Sequence, residues 1–442
     1  MRLSASDFIG FLVVLVLVLL VNSTAAEQKL FGSDPHGWDV FGFSTAIDGD
    51  TAIIGSHGYD VGVPDRGCAY IFEWDDLTGA WVETTILTAS DAGEDDYFGY
   101  DVAISGDIAV VGALYNDHSA SDSGSAYVFY RDQGGLNAWG EVAKLVASDA
   151  AAGDWFGYSV AIDGSTVVVG ADFADGVETD IGKAYVFEKD AGGLDNWGEV
   201  KILTASDAAG GARFGGSTAI SGDTVVVGAF LDPEGGADSG AAYVFDRNHG
   251  GAGMWGQVAK LMASDAAAGA RFGVSSSLDS DLLVIGAFFD GGAAVESGAA
   301  YVFDRNLGGL DAWGEITKLV PSDAVAEDRA GYEVGILGDF VVVGSGWHDA
   351  VADKAGAAYV FSRNSGGADA WGEVEKLVAS DGSADDLFGD KGIAVGRGLL
   401  LIGAYGNDDQ AGEAGAAYSF DLPIFADDFE SGTTVSWDSA TP

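Results

Sequence analysis

The sequence predicts an all-β fold: a seven-bladed β-propeller of four-stranded antiparallel blades, its ring closed by the N-terminal strand. Three observations carry the prediction. A Phe-Gly pair recurs at Phe41, Phe98, Phe156, Phe214, Phe272 and Phe388, with Ala330 and Gly331 in the sixth place, at spacings of 57 or 58 residues. Gly followed by Ala or Ser falls at Gly55, Gly112, Gly170, Gly228, Gly286, Gly344 and Gly403, so both landmarks count seven. Each period holds four strand-like runs, and none has helical spacing over a useful length.

Within a period the runs keep one order, which the fourth repeat shows as "GSTAI", "TVVVGA", "GAAYVFDR" and "WGQVAKLMAS". Runs rich in Val, Tyr and Phe, punctuated by Gly and Asp, are strand signals. Successive apolar residues in "TVVVGA" predict a strand buried on both faces, whereas "AAYVFDR" sets Tyr243 and Phe245 on one face by alternation. "IDGD" or "ISGD" between the first two strands supplies the positive φ that a tight type I′ or II′ hairpin needs. A fourth strand follows the third at Trp81, Trp139, Trp197, Trp255, Trp313 and Trp371, but the last repeat runs from "AAYSFDLP" into the tail. "EQKLFGSD" at residues 27–34 matches "VAKLVASD" in the missing phase. The N-terminal segment is therefore predicted to complete the last blade and hide edges that would otherwise pair with other chains.

The first residues, "MRLSASDFIGFLVVLVLVLLVNSTAAEQ", read as a secretory signal peptide with Arg2 at its head, an apolar run from Phe8 to Val21, and Ala25 and Ala26 before the expected cleavage. The predicted layout is a signal peptide at 1–26, the propeller at 27–422 and an acidic tail at 423–442, with no transmembrane segment once the leader is removed. The chain of 442 residues holds 69 Asp and Glu against 20 Lys and Arg, a formal charge of −49. That balance excludes nucleic acid, whose phosphates call for a basic surface, and favours cations or cationic partners. Apolar content of 48% is nonetheless that of a folded chain. Cys68 is the one cysteine and forms no internal disulfide; its slot holds Ser125, Lys183 or Ala in the other repeats, so it reads as an incidental small residue.

"FGYSVAIDGSTVVVGA" resembles the FG-GAP repeat of integrin α-chain propellers and their bacterial secreted relatives, over about residues 27 to 421. The resemblance implies a seven-bladed propeller acting as an extracellular binding or adhesion module. It also implies calcium in a D-x-D-x-D-G-like loop between the first two strands. Here that loop has shrunk to "IDGD", and a two-residue turn cannot wrap the six to eight oxygens calcium takes. The Pro that often ends the family motif is replaced by Leu114, Asp172, Phe230, Phe288 and Tyr405 among others.

Repetition separates structure from function. A feature present in every repeat serves the blade, whereas a ligand site on a ring uses loops that differ. The Ser-Asp pairs ending at Asp34, Asp91, Asp149, Asp207, Asp265, Asp323 and Asp381 therefore read as scaffold, each Asp accepting from a backbone N–H two residues on. The Trp before each outer strand reads as packing. In a meander, the hairpins joining strands one to two and three to four lie on one side, and the two-to-three loops and blade crossovers on the other. The crossover side is expected to be intensely negative over blades 2, 3 and 7. The two-to-three loops also diverge most, as a binding surface on a rigid scaffold would. Their aromatics and acids supply the candidate ligand residues: Tyr115, Asp117, Phe173, Asp232, Asp290, Trp347, Asp349, Tyr405 and Asp408. Calcium is the one cofactor the loops point to, through Asp172, Asp175 and Asp180 in blade 3 with backbone carbonyls.

The expected function is that of a monomeric, non-catalytic, secreted or cell-surface adhesion module whose acidic crossover face takes an extracellular protein, matrix component or glycan. The first alternative is a lectin-like propeller whose loop aromatics stack on sugars. The second is a hydrolase with a channel-mouth site, which would gather acids and His from different blades. The five His residues share no metal or triad spacing, and no nucleophile elbow or phosphate loop is present.

Overall fold

The computed structural model describes residues 27–60, 62–396 and 398–422. The predicted leader and tail lie outside the described residues. Strands form seven four-stranded antiparallel sheets, six of them meanders of consecutive strands and the seventh made of the last three strands with the N-terminal Gln28–Leu30. Blade 4 is Phe214–Ser221, Thr224–Ala229, Ala241–Asp246 and Gly256–Leu261. Every residue of Thr224–Ala229 is buried, as its unbroken apolar run requires. The first hairpin turns at Gly49, Gly106, Gly164, Gly222 and Gly338 with φ between 54° and 58°; in blade 5, Ser280 adopts the same conformation without glycine.

The core sits in the seams between blades. One apolar cluster joins Val110, Val128 and Leu145 of blade 2 to Phe156, Val167 and Tyr185 of blade 3, and the other seams repeat it. The Phe of each Phe-Gly pair packs edge-on against the Tyr and Phe of its own third strand, as Phe98 does on Tyr127 and Phe129 at 5.4 and 5.9 Å. The two glycine landmarks meet across each seam. A Cβ on Gly112 would strike the Gly157 carbonyl, and one on Gly403 would strike that of Gly42. Backbone can approach backbone so closely only without side chains, which is why both letters recur in every repeat.

Ring closure follows the predicted register. Gln28–Leu30 pairs antiparallel with Ala416–Asp421, setting Gln28 opposite Ser419, Lys29 opposite Tyr418 and Leu30 opposite Ala417. The seventh seam has the same composition as the rest, joining Leu401 and Ala417 of blade 7 to Phe41, Ile54 and Tyr70 of blade 1. Parallel bridges such as Gly124 with Phe156 tie each two-to-three loop to the crossover entering the next blade, and Phe41 with Gly415 closes the circle.

The Ser-Asp pairs are scaffold, but their partners differ from the expected backbone N–H. Asp91 accepts the Tyr127 hydroxyl (2.8 Å) and the Lys144 ammonium (2.6 Å), both from blade 2, while Glu141 of the same outer strand accepts from Ser90 N and Oγ. Burial pushes Asp91 up, yet the Lys144 and Tyr127 hydrogen bonds outweigh it and leave the carboxyl below its usual range. A hydroxyl and an ammonium from the next blade fix the crossover more firmly than a local turn would. In blade 3, Ile202 stands opposite Tyr185 where the lysine would be, and Lys183 reaches Asp149 instead. In blade 1, Ile86 stands opposite Tyr70, and Asp34 takes the Tyr59 and Tyr70 hydroxyls. The closing strand reproduces the pattern: Glu27 holds Ser380, and Lys29 holds Asp381. Cys68 is buried, and the six Trp residues at the outer strands are buried as well.

Candidate functional site at the channel mouth

The two-to-three loops and crossovers share one face, as predicted. Gly153, Trp155 and Phe156 of the crossover into blade 3 donate to Ser121, Asp122 and Ser123 carbonyls of the blade 2 loop. On the other face, first hairpins link turn to turn, with the Asp48 carboxylate accepting from Gly106 N and that of Asp163 from Gly222 N. Arg131, Arg247 and Arg305 lie there against Asp107, Asp223 and Asp281. Acids thus occur on both faces, and strand lysines reach up to six of the Ser-Asp carboxylates on the crossover side.

The predicted loop acids separate into three groups. Asp117, Asp175 and Asp349 each accept from the backbone N–H five residues on, closing the loop onto Asp122, Asp180 or Lys354 in a left-handed conformation. Asp232 and Asp290 are buried, tied to Tyr243 and Lys260 and to Tyr301 and Lys318. Asp408 is exposed in the blade 7 loop. Asp172, Asp175 and Asp180 are not gathered around one point. Arg213 lies 3.9 Å from Asp172 and 3.8 Å from Asp180, and among the described residues no group of three His, Cys, Asp or Glu could hold a metal ion. With a guanidinium beside two of its ligands and the third capping a backbone N–H, the arrangement does not fit calcium. Burial pushes the Asp172 carboxyl up to about 7, despite Arg213.

The aromatic candidates fall along a belt made of two runs of ring contacts, one from Tyr405 through Tyr115 to Phe173 and one holding Phe289 and Trp347. The residue before each Phe-Gly pair is left-handed in every blade: Val40, Tyr97, Trp155, Arg213, Arg271, Arg329 and Leu387, with φ from 51° to 61°. Each donates its N–H to a loop carbonyl of the preceding blade, as Trp155 does to Asp122 and Arg271 to Asp238. That fixed backbone carries five of the seven side chains, Tyr97, Trp155, Arg213, Arg271 and Arg329, onto rings of the two-to-three loops. Tyr97 meets Tyr115 at 5.0 Å, Tyr115 meets Trp155 at 5.2 Å, and Trp155 meets Phe173 at 3.8 Å. Arg213 lies 3.0 Å over Phe173. Arg271 and Arg329 share Phe289 at 4.7 and 4.9 Å, and Arg329 lies 3.3 Å over Trp347. Tyr405 stands by the axis, 5.2 Å from Phe43, its hydroxyl on Asp390.

Below the belt the first strands enclose a channel cavity of about 180 Å³, lined from all seven blades. The second residue after each Phe-Gly pair lines it: Ser44, Asp101, Ser159, Ser217, Ser275, Glu333 and Lys391. Ser159, Ser217 and Ser275 donate to Gly215, Gly273 and Gly331 carbonyls, closing seams. Asp101 accepts from Ser44 Oγ and Val160 N, and burial still raises its carboxyl to about 6. Lys391 and Glu333 pair at 3.4 Å. No His lines this cavity among the described residues; His57 sits above it against Phe43 and Tyr100, where burial lowers it to about 4.

Seven stretches of the chain match the family model of the FG-GAP repeat, at residues 24–72, 81–129, 139–187, 197–245, 255–303, 313–361 and 371–420. The chain belongs to the FG-GAP repeat family. Each FG-GAP match from the second onward opens near the outer strand of one blade and runs through three strands of the next, so the sequence repeat is offset by one strand from the blade. The same offset lets the first FG-GAP stretch carry the closing strand. No curated protein matches the chain. No helix among the described residues is long and apolar enough to cross a membrane.

Two features of this FG-GAP propeller escape the loop-by-loop reading. The channel residues Asp101, Glu333 and Lys391 occupy a position that is Ser in the other four repeats, and that break in the pattern was their signal. The belt arginines stand where blades 2 and 3 have Tyr97 and Trp155, directly before the landmark, a place that loop divergence alone does not examine.

Proposed function

We propose that this FG-GAP propeller is an exported, monomeric, non-catalytic module that binds an extracellular protein through its crossover face. One observation carries the reading: positions that repeat hold the blades together, while those that differ from blade to blade collect around the channel mouth on that face. A rigid ring presenting variable loops is the usual arrangement of a binding scaffold. Exposed acids such as Glu94, Asp95 and Glu178 surround the belt and favour a partner with a basic surround. Protein is favoured over glycan because the ring faces that would stack on a sugar are already covered, Phe173 by Arg213 and Trp347 by Arg329. Export is supported by the leader pattern of residues 1–26.

The test compares two attachment points in one blade. Val177, at the tip of the blade 3 two-to-three loop, is 87% exposed, and Leu194, on its hairpin face, is 86% exposed. Val177→Cys and Leu194→Cys are each labelled with a large maleimide polyethylene glycol, to which buried Cys68 is closed. Both are then assayed against immobilised extracellular-matrix proteins and a glycan array, with and without a calcium chelator. Protein binding lost only with the label at Val177, and indifferent to chelation, is the expected result. Loss only at Leu194, or binding confined to the glycan array, contradicts the reading.

A further inference from the structure

We propose that the channel mouth binds one acidic side chain of a partner peptide, its carboxylate taken by Arg271 and Arg329. This rests on the protein-binding reading above and names the contact within it. The hairpin-face arginines Arg131, Arg247 and Arg305 each have a carboxylate at 2.7 or 2.8 Å, and Arg213 has two within 3.9 Å. Arg271 and Arg329 make no ion pair within 4.0 Å among the described residues, in a chain with 69 acids to choose from. Two guanidinium charges on one ring, Phe289, neither with a carboxylate in contact and Asp390 acting on Arg329 only from farther off, mark a place kept for an anion from outside.

Their geometry suits a planar oxyanion. Arg329 lies on the Trp347 ring and shares Phe289 with Arg271, so each guanidinium spends its face on a π system and keeps N–H edges for a carboxylate. The backbone beneath is pinned in the left-handed region by bonds to the Asp238 and Glu296 carbonyls, which limits the entropy lost on binding. The acids Asp232 and Asp290 below are engaged by Lys260 and Lys318. The acidic perimeter repels polyanions, so the site selects a lone Asp or Glu flanked by neutral or basic residues.

The experiment uses the full chain on an array of short peptides with one Asp or Glu between lysines, beside the same peptides with Asn or Gln, and on glucuronate-bearing oligosaccharides. The acid peptides are expected to bind about 10-fold or more above their amide partners, and Arg271→Gln and Arg329→Gln each to remove most of that difference. Arg305→Gln, on the hairpin face, leaves it unchanged. Melting temperatures within a few degrees of the parent show that the variants are folded. Equal binding of acid and amide peptides, acid preference surviving in the double variant, or binding of glucuronate alone overturns the proposal. If those results arise while the label at Val177 still blocks a protein partner, the crossover-face reading stands and only this contact falls.

Discussion

Asp172 shows how one residue can look like a ligand and lie buried in the wall instead. It is 1% exposed, one carboxylate oxygen has no hydrogen bond, and Arg213 is too far for a direct one. Burial therefore raises its carboxyl to about 7 from an ordinary 3.8. Asp101, Asp39 and Asp390 are raised to about 6 by the same cause. A carboxyl raised on folding contributes stability that is complete below its unfolded value near 4 and is lost as pH climbs through the folded value. His57, lowered to about 4, opposes this between pH 6.5 and 4, one group against four. The melting temperature is thus expected to rise as pH falls from 8 to 5. Asp172→Asn should stabilise the protein by about 2–4 kcal/mol at pH 8 and by little at pH 4, measured by guanidinium melts. A variant less stable than the parent at pH 8 would show that Asp172 is held charged by Arg213. The sequence put Asp172 in a loop between strand and aspartates, and nothing local revealed that the first loop position turns inward.

At the scale of the element, the closing strand is the sharpest case. Three residues pair with the last third strand, yet Glu27, Lys29 and Leu30 reproduce the outer-strand contacts of the other blades. Leu30→Ala is expected to cost about 2–4 kcal/mol. Removing residues 27–30 should leave Ala416–Asp421 as an open edge and shift the protein to concentration-dependent oligomers, read by size exclusion with light scattering. A variant that stays monomeric with unchanged stability would mean that closure contributes nothing. This element was legible because "EQKLFGSD" repeats the letters of an outer strand. The partners of the Ser-Asp acids were not: Asp91 and Tyr127 lie 36 residues apart in different blades, and a local turn was the only partner that sequence proximity could suggest.

For the whole molecule, the repeat dictates the ring and departures from it dictate the site. Seam glycines, Phe-Gly rings and Tyr-Asp-Lys ties recur because each blade must bury its sides against two neighbours. The left-handed residue before Phe-Gly recurs in conformation but takes five identities over seven blades, which varies the side chains around one mouth without disturbing the scaffold. Blade number, strand order and the two-faced sorting of loops were readable from the letters. The belt was not, since it is assembled from residues of neighbouring blades that meet only when the ring is shut. Hydrogen exchange of the chain alone and with the strongest binder from the matrix array tests most directly whether that mouth is where partners dock. Protection in the loops at 288–298 and 346–356 and the crossover at 321–332, with the hairpins at 131–139 and 305–313 unchanged, is the predicted result; protection confined to those hairpins would contradict it.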